Sequence, residues 1–198
     1  MRTLVLTGWH PRIAALACLA LGVAGVAAFA GADEYALGER LAPAQDDGEV
    51  PEIAWDDLLP EDWDPLEAFE GLDIESLDDA DPRAIAALEK IREAWDEAPA
   101  NEALAGKRGR IAGFLVPLDW DAREFSEFLL VPYFGACIHL PPPPANQIIH
   151  VMADPPVRGL DMMEAVWVEG RLELGSIDTE MGRSGYRMDA HAVTRYEW

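Results

Sequence analysis

Cysteine is nearly missing from this sequence, with only Cys18 and Cys137 among 198 residues. Cys18 lies in an N-terminal apolar run. If that run is removed, Cys137 is alone and no intramolecular disulfide can form. A disulfide-stapled scaffold is thereby excluded, and no C-x-x-C or nucleophile-elbow pattern points to redox or acyl-transfer chemistry. Basic residues are also scarce: 15 Lys and Arg stand against 37 Asp and Glu, for a formal charge of −22. Such a chain repels phosphate backbones, so nucleic acid is excluded as a partner. Anionic membrane surfaces are excluded on the same ground. A cationic partner or loosely held divalent cations are compatible with the charge. The plainer reading is a surface that keeps the protein soluble.

The charge is uneven. Residues 33–102 hold 24 acidic and 4 basic residues, whereas residues 105–198 hold 13 and 9. Residues 1–30 read as a signal peptide, with Arg2 and Arg12 as the positive flank and Ala28-Phe29-Ala30 as a small-x-small cleavage site. An uncleaved inner-membrane anchor is the alternative, and in that case alone the membrane is a partner. Lipidation at Cys18 is disfavoured, because Ala15 stands where a large apolar residue is usual.

Residues 31–50 have no periodicity and read as a flexible acidic tether. Residues 51–104 form an acidic, partly helical arm. In it Trp55, Leu58, Leu59 and Trp63 are too apolar for a linker and are expected to pack on the following domain. Asp81-Pro82 predicts an N-cap and first turn, and Ile85, Leu88, Ile91 and Trp95 recur at helical spacing as a buried stripe.

After Gly106 the period becomes alternating. Strands are expected over 108–118, 125–131, 147–152, 166–174 and 186–196. Gly109 and Gly113 are read as bends or bulges, Asp154-Pro155-Pro156 as a strand end, residues 160–164 as a helical turn, and residues 182–185 as a turn. In the fourth strand Val166, Val168, Leu172 and Leu174 share one face. The fold class is mainly β with a helical N-terminal arm, residues 105–198 forming a small five-stranded OB-like barrel. An SH3-like barrel or an open sheet are the alternatives.

The chemistry concentrates between the second and third strands. Tyr133 and Phe134 lead to Cys137 and His139, then to Pro141, Pro142, Pro143 and Pro144, and on to Asn146 and Gln147. In an extended segment Cys137 and His139 point to one face, about 6–7 Å apart. Thiolate and imidazole suit zinc or copper(I). No second ligand pair stands at motif spacing, so His150, His191, Met162 or Met163 would have to come from elsewhere in the fold. A thiol enzyme with His139 or His191 as base ranks below this. The prolines are stiff and lack donors, and the Asn146 and Gln147 amides are suited to their carbonyls. The loop then reads as a rigid lid sheltering a buried thiol, or as a surface that docks another protein. Lys107, Arg108 and Arg110 form the one basic cluster, expected to meet the acidic arm, and Asp119 and Asp121 are a weak calcium candidate.

The run from Gly113 to Leu118, the loop motif from Glu127 to His139 with its prolines and Asn146-Gln147, and Val166-Trp167-Val168-x-Gly170 with Gly185-Tyr186 resemble the bacterial domain of unknown function 3299 family. The Trp55-Asp56-Asp57-Leu58-x-Pro60 element resembles what precedes that domain. The resemblance spans about residues 50–198 and brings no catalytic mechanism. It implies an exported, periplasmic protein of a Gram-negative bacterium, some relatives being encoded beside ABC-type transport components that include zinc systems. The combined expectation is a non-enzymatic periplasmic accessory or binding protein near an envelope transport system, related to a transition metal such as zinc or copper. Its partner is a transport component or another periplasmic protein, and no cofactor is certain. A structural interaction module with a rigid proline-rich loop is the alternative.

Overall fold

The computed structural model describes residues 35–41, 50–65, 67, 81–119 and 123–197. The expected signal segment lies outside them, as do Trp120 and Asp121 of the acidic turn. Five strands follow the arm: β1 (Arg108–Pro117), β2 (Glu124–Val131), β3 (Ile149–Arg158), β4 (Ala165–Thr179) and β5 (Gly182–Arg195). They close in a ring in the order β1-β2-β3-β5-β4, with β4 pairing back onto β1. All pairings are antiparallel except β3 with β5. Among the described residues one α-helix, α1 (Pro82–Asp96), precedes the ring.

Alternation sends Ile111 and Leu115, Phe128 and Leu130, Val166 and Val168, and Tyr186 and Met188 into one interior cluster. β2 is apolar on both faces, as its unbroken run requires. Leu129 and Val131 face outward yet are fully buried, in a second cluster with Phe114 and Val116. The arm enters the first cluster. Residues Trp55–Leu58 form one turn of 3-10 helix, and Leu58 is fully buried among the interior side chains. Trp55 Nε1 donates to the Ala112 carbonyl of β1 at 2.7 Å.

The arm also explains two glycines. Gly109 and Gly113 are neither bends nor bulges. A Cβ at Gly109 would stand 2.8 Å from Ile53 and the Pro51 carbonyl, and one at Gly113 would stand 2.8 Å from the Val131 carbonyl and 3.0 Å from Trp55. Both are places where the arm or β2 presses against β1.

Other expectations are corrected. Asp154-Pro155-Pro156 does not end β3. Glu127 pairs with Met152 while Phe125 pairs with Val157, so the prolines fall in an irregularity where no ladder bond is required of them. Residues 182–185 belong to β5, which with β4 forms a long hairpin turning at Glu180 and Met181. Leu174 is 41% exposed because that hairpin carries it beyond the interior face. Residues 161–164 make a hydrogen-bonded turn without a helix.

Helix α1 starts as expected, with the Asp81 side chain accepting the Arg83 N–H. Its buried face is different. Ala84, Ala87 and Ile91 are buried, whereas Ile85 and Leu88 are about half exposed. Trp95 Nε1 donates to the Pro65 carbonyl at 3.1 Å, which sets the rotation of the last turn.

Truncating Leu58 to Ala should remove about 3 kcal/mol of stability, the range for emptying a packed leucine site. Leu88→Ala should cost under about 0.5 kcal/mol, as at other exposed positions. Urea denaturation of the two variants measures both.

Candidate functional site

The segment from Pro132 to Gln147 leaves β2, crosses the outer face of β1 and β2, and enters β3. Its first half is a tight turn and not an extended strand. The Gly135 carbonyl accepts three N–H groups: Ile138 at 3.3 Å, His139 at 2.9 Å and Leu140 at 3.0 Å. Gly135 and Cys137 both take positive φ, 86° and 64°. For Cys137 that left-handed conformation carries strain that the surrounding bonds must offset. The spacing argument that set Cys137 and His139 on one face of an extended segment therefore fails. His139 is exposed and Cys137 is half-buried.

A second strip of chain fastens this turn. Within the stretch expected to be a flexible tether, residues 35–41 are seated against the loop. Gly38 N–H donates to the Phe134 carbonyl at 2.8 Å, and Phe134 N–H returns a 2.8 Å bond to the Glu39 carbonyl. Tyr35 meets the edge of Phe114 at 5.0 Å and lies 6.0 Å from Phe134. These aromatic contacts contribute about 0.5–1.5 kcal/mol each beyond area burial. Gly135 N–H donates to the Met163 thioether at 3.3 Å. Tyr35 and Met163 carry no motif; the aromatic in an acidic stretch was the available signal for the first. The lid thus seals Phe114, Val116, Leu129 and Val131 from water.

The second half of the segment is a clamp. Pro141 is exposed and Pro142 half-buried, while Pro143 and Pro144 are buried and lead into a 3-10 turn at Ala145–Gln147. The buried amides of Asn146 and Gln147 do not serve the proline carbonyls. Asn146 Nδ2 donates to the Pro99 carbonyl at 2.9 Å, and Gln147 Nε2 donates to the Trp55 carbonyl at 2.9 Å. Nearby, Tyr186 OH donates to the Leu58 carbonyl at 2.7 Å and accepts the Asn101 N–H at 2.5 Å. Asn101 Nδ2 donates to the Asp57 carbonyl at 2.8 Å. Four carbonyls of the arm are thereby satisfied from one junction.

Burial sets the electrostatics of the lid. It pushes the Cys137 thiol up to about 12, so the sulfur is protonated near neutrality. Burial likewise raises the Tyr133 phenol, with the neighbouring Cys137 adding to the rise and Arg40 opposing it. A protonated, shielded thiol is a poor nucleophile; of the two bases considered for it, His139 is exposed in the same turn and His191 lies on another strand. His191 on β5 bonds Glu169 at 2.8 Å. His150 on β3 is buried, 3.5 Å from the Glu127 carboxylate. Among the described residues no three His, Cys, Asp or Glu side chains gather as a metal-holding group. Met163 is occupied by the Gly135 N–H, and Met162 is exposed. The basic cluster divides: Arg110 pairs its backbone with the arm at Pro51 and Ile53 and lies over the Trp167 ring at 4.7 Å, whereas Lys107 and Arg108 are exposed.

The fold and site define a mainly β protein whose five-strand ring is plugged by an arm and sealed by a lid. The family described as Protein of unknown function (DUF3299) matches residues 55–195, and the chain belongs to that family. A crystal structure of a DUF3299 family protein from Pseudomonas aeruginosa PAO1 is similar, at 34% identity and a TM-score of 0.58. The match covers 76% of this chain and 99% of that one. No curated protein matches the sequence.

The Cys137 thiol links the lid to pH. Its folded value is raised above the ordinary 9.0. The folded state therefore keeps the proton that the unfolded chain releases, and stability is full below pH 9 and falls as pH rises toward 12. The slope should approach about 1 kcal/mol per pH unit and should be shallower in Cys137→Ala, which keeps only the contribution of the raised Tyr133, Tyr186 and Tyr196 phenols. Denaturant midpoints measured across that range check the sign.

Proposed function

We propose that this chain is a non-enzymatic, exported accessory protein that binds a component of an envelope transport system through its lid. The observation that carries the reading is the outward side of the sealed loop. Leu37 is 57% exposed although the backbone bonds of the adjoining Gly38 and Glu39 to Phe134 hold its strip to the loop, and His139 and Pro141 of that loop are exposed as well. A large apolar side chain presented on an ordered backbone loses little conformational entropy on docking. The inward side of the loop is spent on packing, and the shielded thiol favours recognition over catalysis. The strand order, with β3 and β5 alone parallel, supports reading the ring as OB-type in preference to SH3-like. Export rests on the signal-like segment 1–30.

A photo-crosslinking residue in place of Leu37 or Pro141, introduced in cells, should capture an envelope transport component. The same residue in place of Leu174, which is comparably apolar and 41% exposed on the hairpin, should not. Equal capture from all three positions would overturn the reading.

The transition-metal relation belongs to the same proposal, with zinc or copper(I) held at Cys137 and His139. Binding has to displace a proton from a thiol held near 12. Zinc affinity of the purified protein should therefore climb by about tenfold per pH unit through neutrality. Cys137→Ser should abolish it. Affinity that ignores pH, or survives that substitution, would exclude the lid as the metal site.

A further inference from the structure

The ring carries a second feature, away from the lid, that the proposed role does not use. In the β1–β4 ladder Arg108 stands directly opposite Arg171. Like charges at facing positions are about 5 Å apart at Cβ and destabilise a sheet. In a chain with 37 acidic residues, such a pair could readily have been neutralised. Seven other arginines are: Arg40, Arg83, Arg92, Arg158, Arg183, Arg187 and Arg195 each reach a carboxylate within the chain.

Two acids beside the pair on the sheet are engaged elsewhere, while Glu52, Asp56, Asp57 and Glu61 of the arm line a separate hollow with Lys107 and Arg108 and form no ion pair with either. Asp189, which faces Arg171 from β5, accepts two N–H groups from Arg187 at 3.0 and 2.6 Å. Glu169 is taken by His191 at 2.8 Å. Arg171 makes one bond, from Nη1 to the Gly106 carbonyl at 3.1 Å, and Lys107 and Arg108 have no ion-pair partner among the described residues. The two arginines, Gly170, Asp189 and His191 line a hollow of about 340 Å³. The β4–β5 register slips between Glu169 and Gly170, leaving His191 as the unpaired extra residue of β5. Bulges of this kind re-aim a side chain, and here the side chain that lines the hollow is a histidine.

We infer that this hollow is a binding site for a small multiply charged oxyanion, with Arg108 and Arg171 as the two forks and Lys107 at the margin. Guanidinium groups bind phosphate and carboxylate oxygens in pairs, with charge-assisted bonds about twice as strong as neutral ones. The anion relieves the repulsion between the facing arginines, so it stabilises the fold as it binds. The net charge selects for size. An extended polyanion meets the repulsion of the whole acidic molecule, whereas a small ion seated between two arginines interacts mainly within one screening length of about 8 Å.

The test uses the purified full chain and inorganic phosphate at low ionic strength, followed by calorimetry and thermal melting. Phosphate should bind saturably with one site per chain and raise the melting temperature. Arg108→Gln with Arg171→Gln should weaken it by about a hundredfold or more, since both charge-assisted forks are lost. Arg158→Gln, at an arginine already paired with Glu124, should leave it unchanged. Arg108→Glu separates a site from a structural role. It should raise the melting temperature without phosphate, by supplying Arg171 with an opposite charge, and should remove the rise that phosphate causes. No saturable binding, equal affinity in the double variant, or a lower melting temperature in Arg108→Glu would each overturn the inference.

Discussion

The structure depends on a set of side-chain hydrogen bonds donated to the backbone of the arm. Carbonyls at Trp55, Leu58 and Pro99 would be stranded where the arm meets the ring, and Gln147, Tyr186 and Asn146 reach them, while Asn101 bonds the exposed Asp57 carbonyl within the arm. A satisfied bond contributes only about 1 kcal/mol net, but a buried carbonyl left without a donor costs about 1–3 kcal/mol. The bonds therefore act mostly as a condition on the arrangement: the arm enters at this place and in this register or not at all. Once it does, Leu58 fills the interior and joins the arm to the same core as the strands.

That junction ties the lid to the rest of the molecule. Asn146 and Gln147 end the proline run, so the clamp on the arm also fixes the far end of the loop. The near end is fixed by the Gly135 carbonyl and by the strip at residues 38–40. Between the two anchors the chain has little freedom, and the prolines reduce it further. Sealing the outer face of β2 desolvates Cys137, and its shifted thiol follows from position in the packing without any specific charged partner. The lid and the arginine pair lie on different parts of the ring, so partner binding and anion binding are separable properties of one small fold.

Several local features were legible before the structure. The Asp81-Pro82 cap, the doubly apolar run of β2 and the alternation in β4 each encode their outcome within a few residues. Others were not. The rotation of α1 is one, because large apolar residues usually face inward, whereas here Ala84 and Ala87 are buried and Ile85 and Leu88 are about half exposed. Pro155 and Pro156 read as a strand end because their cost was counted without knowing that the ladder skips them. The Cys-x-His pair looked like two ligands on one strand, since nothing local reveals that the Gly135 carbonyl gathers the next turn around itself.

The amino-acid order by itself determined the strands, the helix cap, the stiffness of the loop and the scarcity of thiols, because each depends on neighbours within about one turn or one pleat. The tertiary structure alone decided which carbonyls Asn146 and Gln147 serve, why Gly109 and Gly113 must lack a side chain, and that Arg108 faces Arg171. Those outcomes join residues distant along the chain, and their physics is the desolvation and repulsion that arise only when the ring closes.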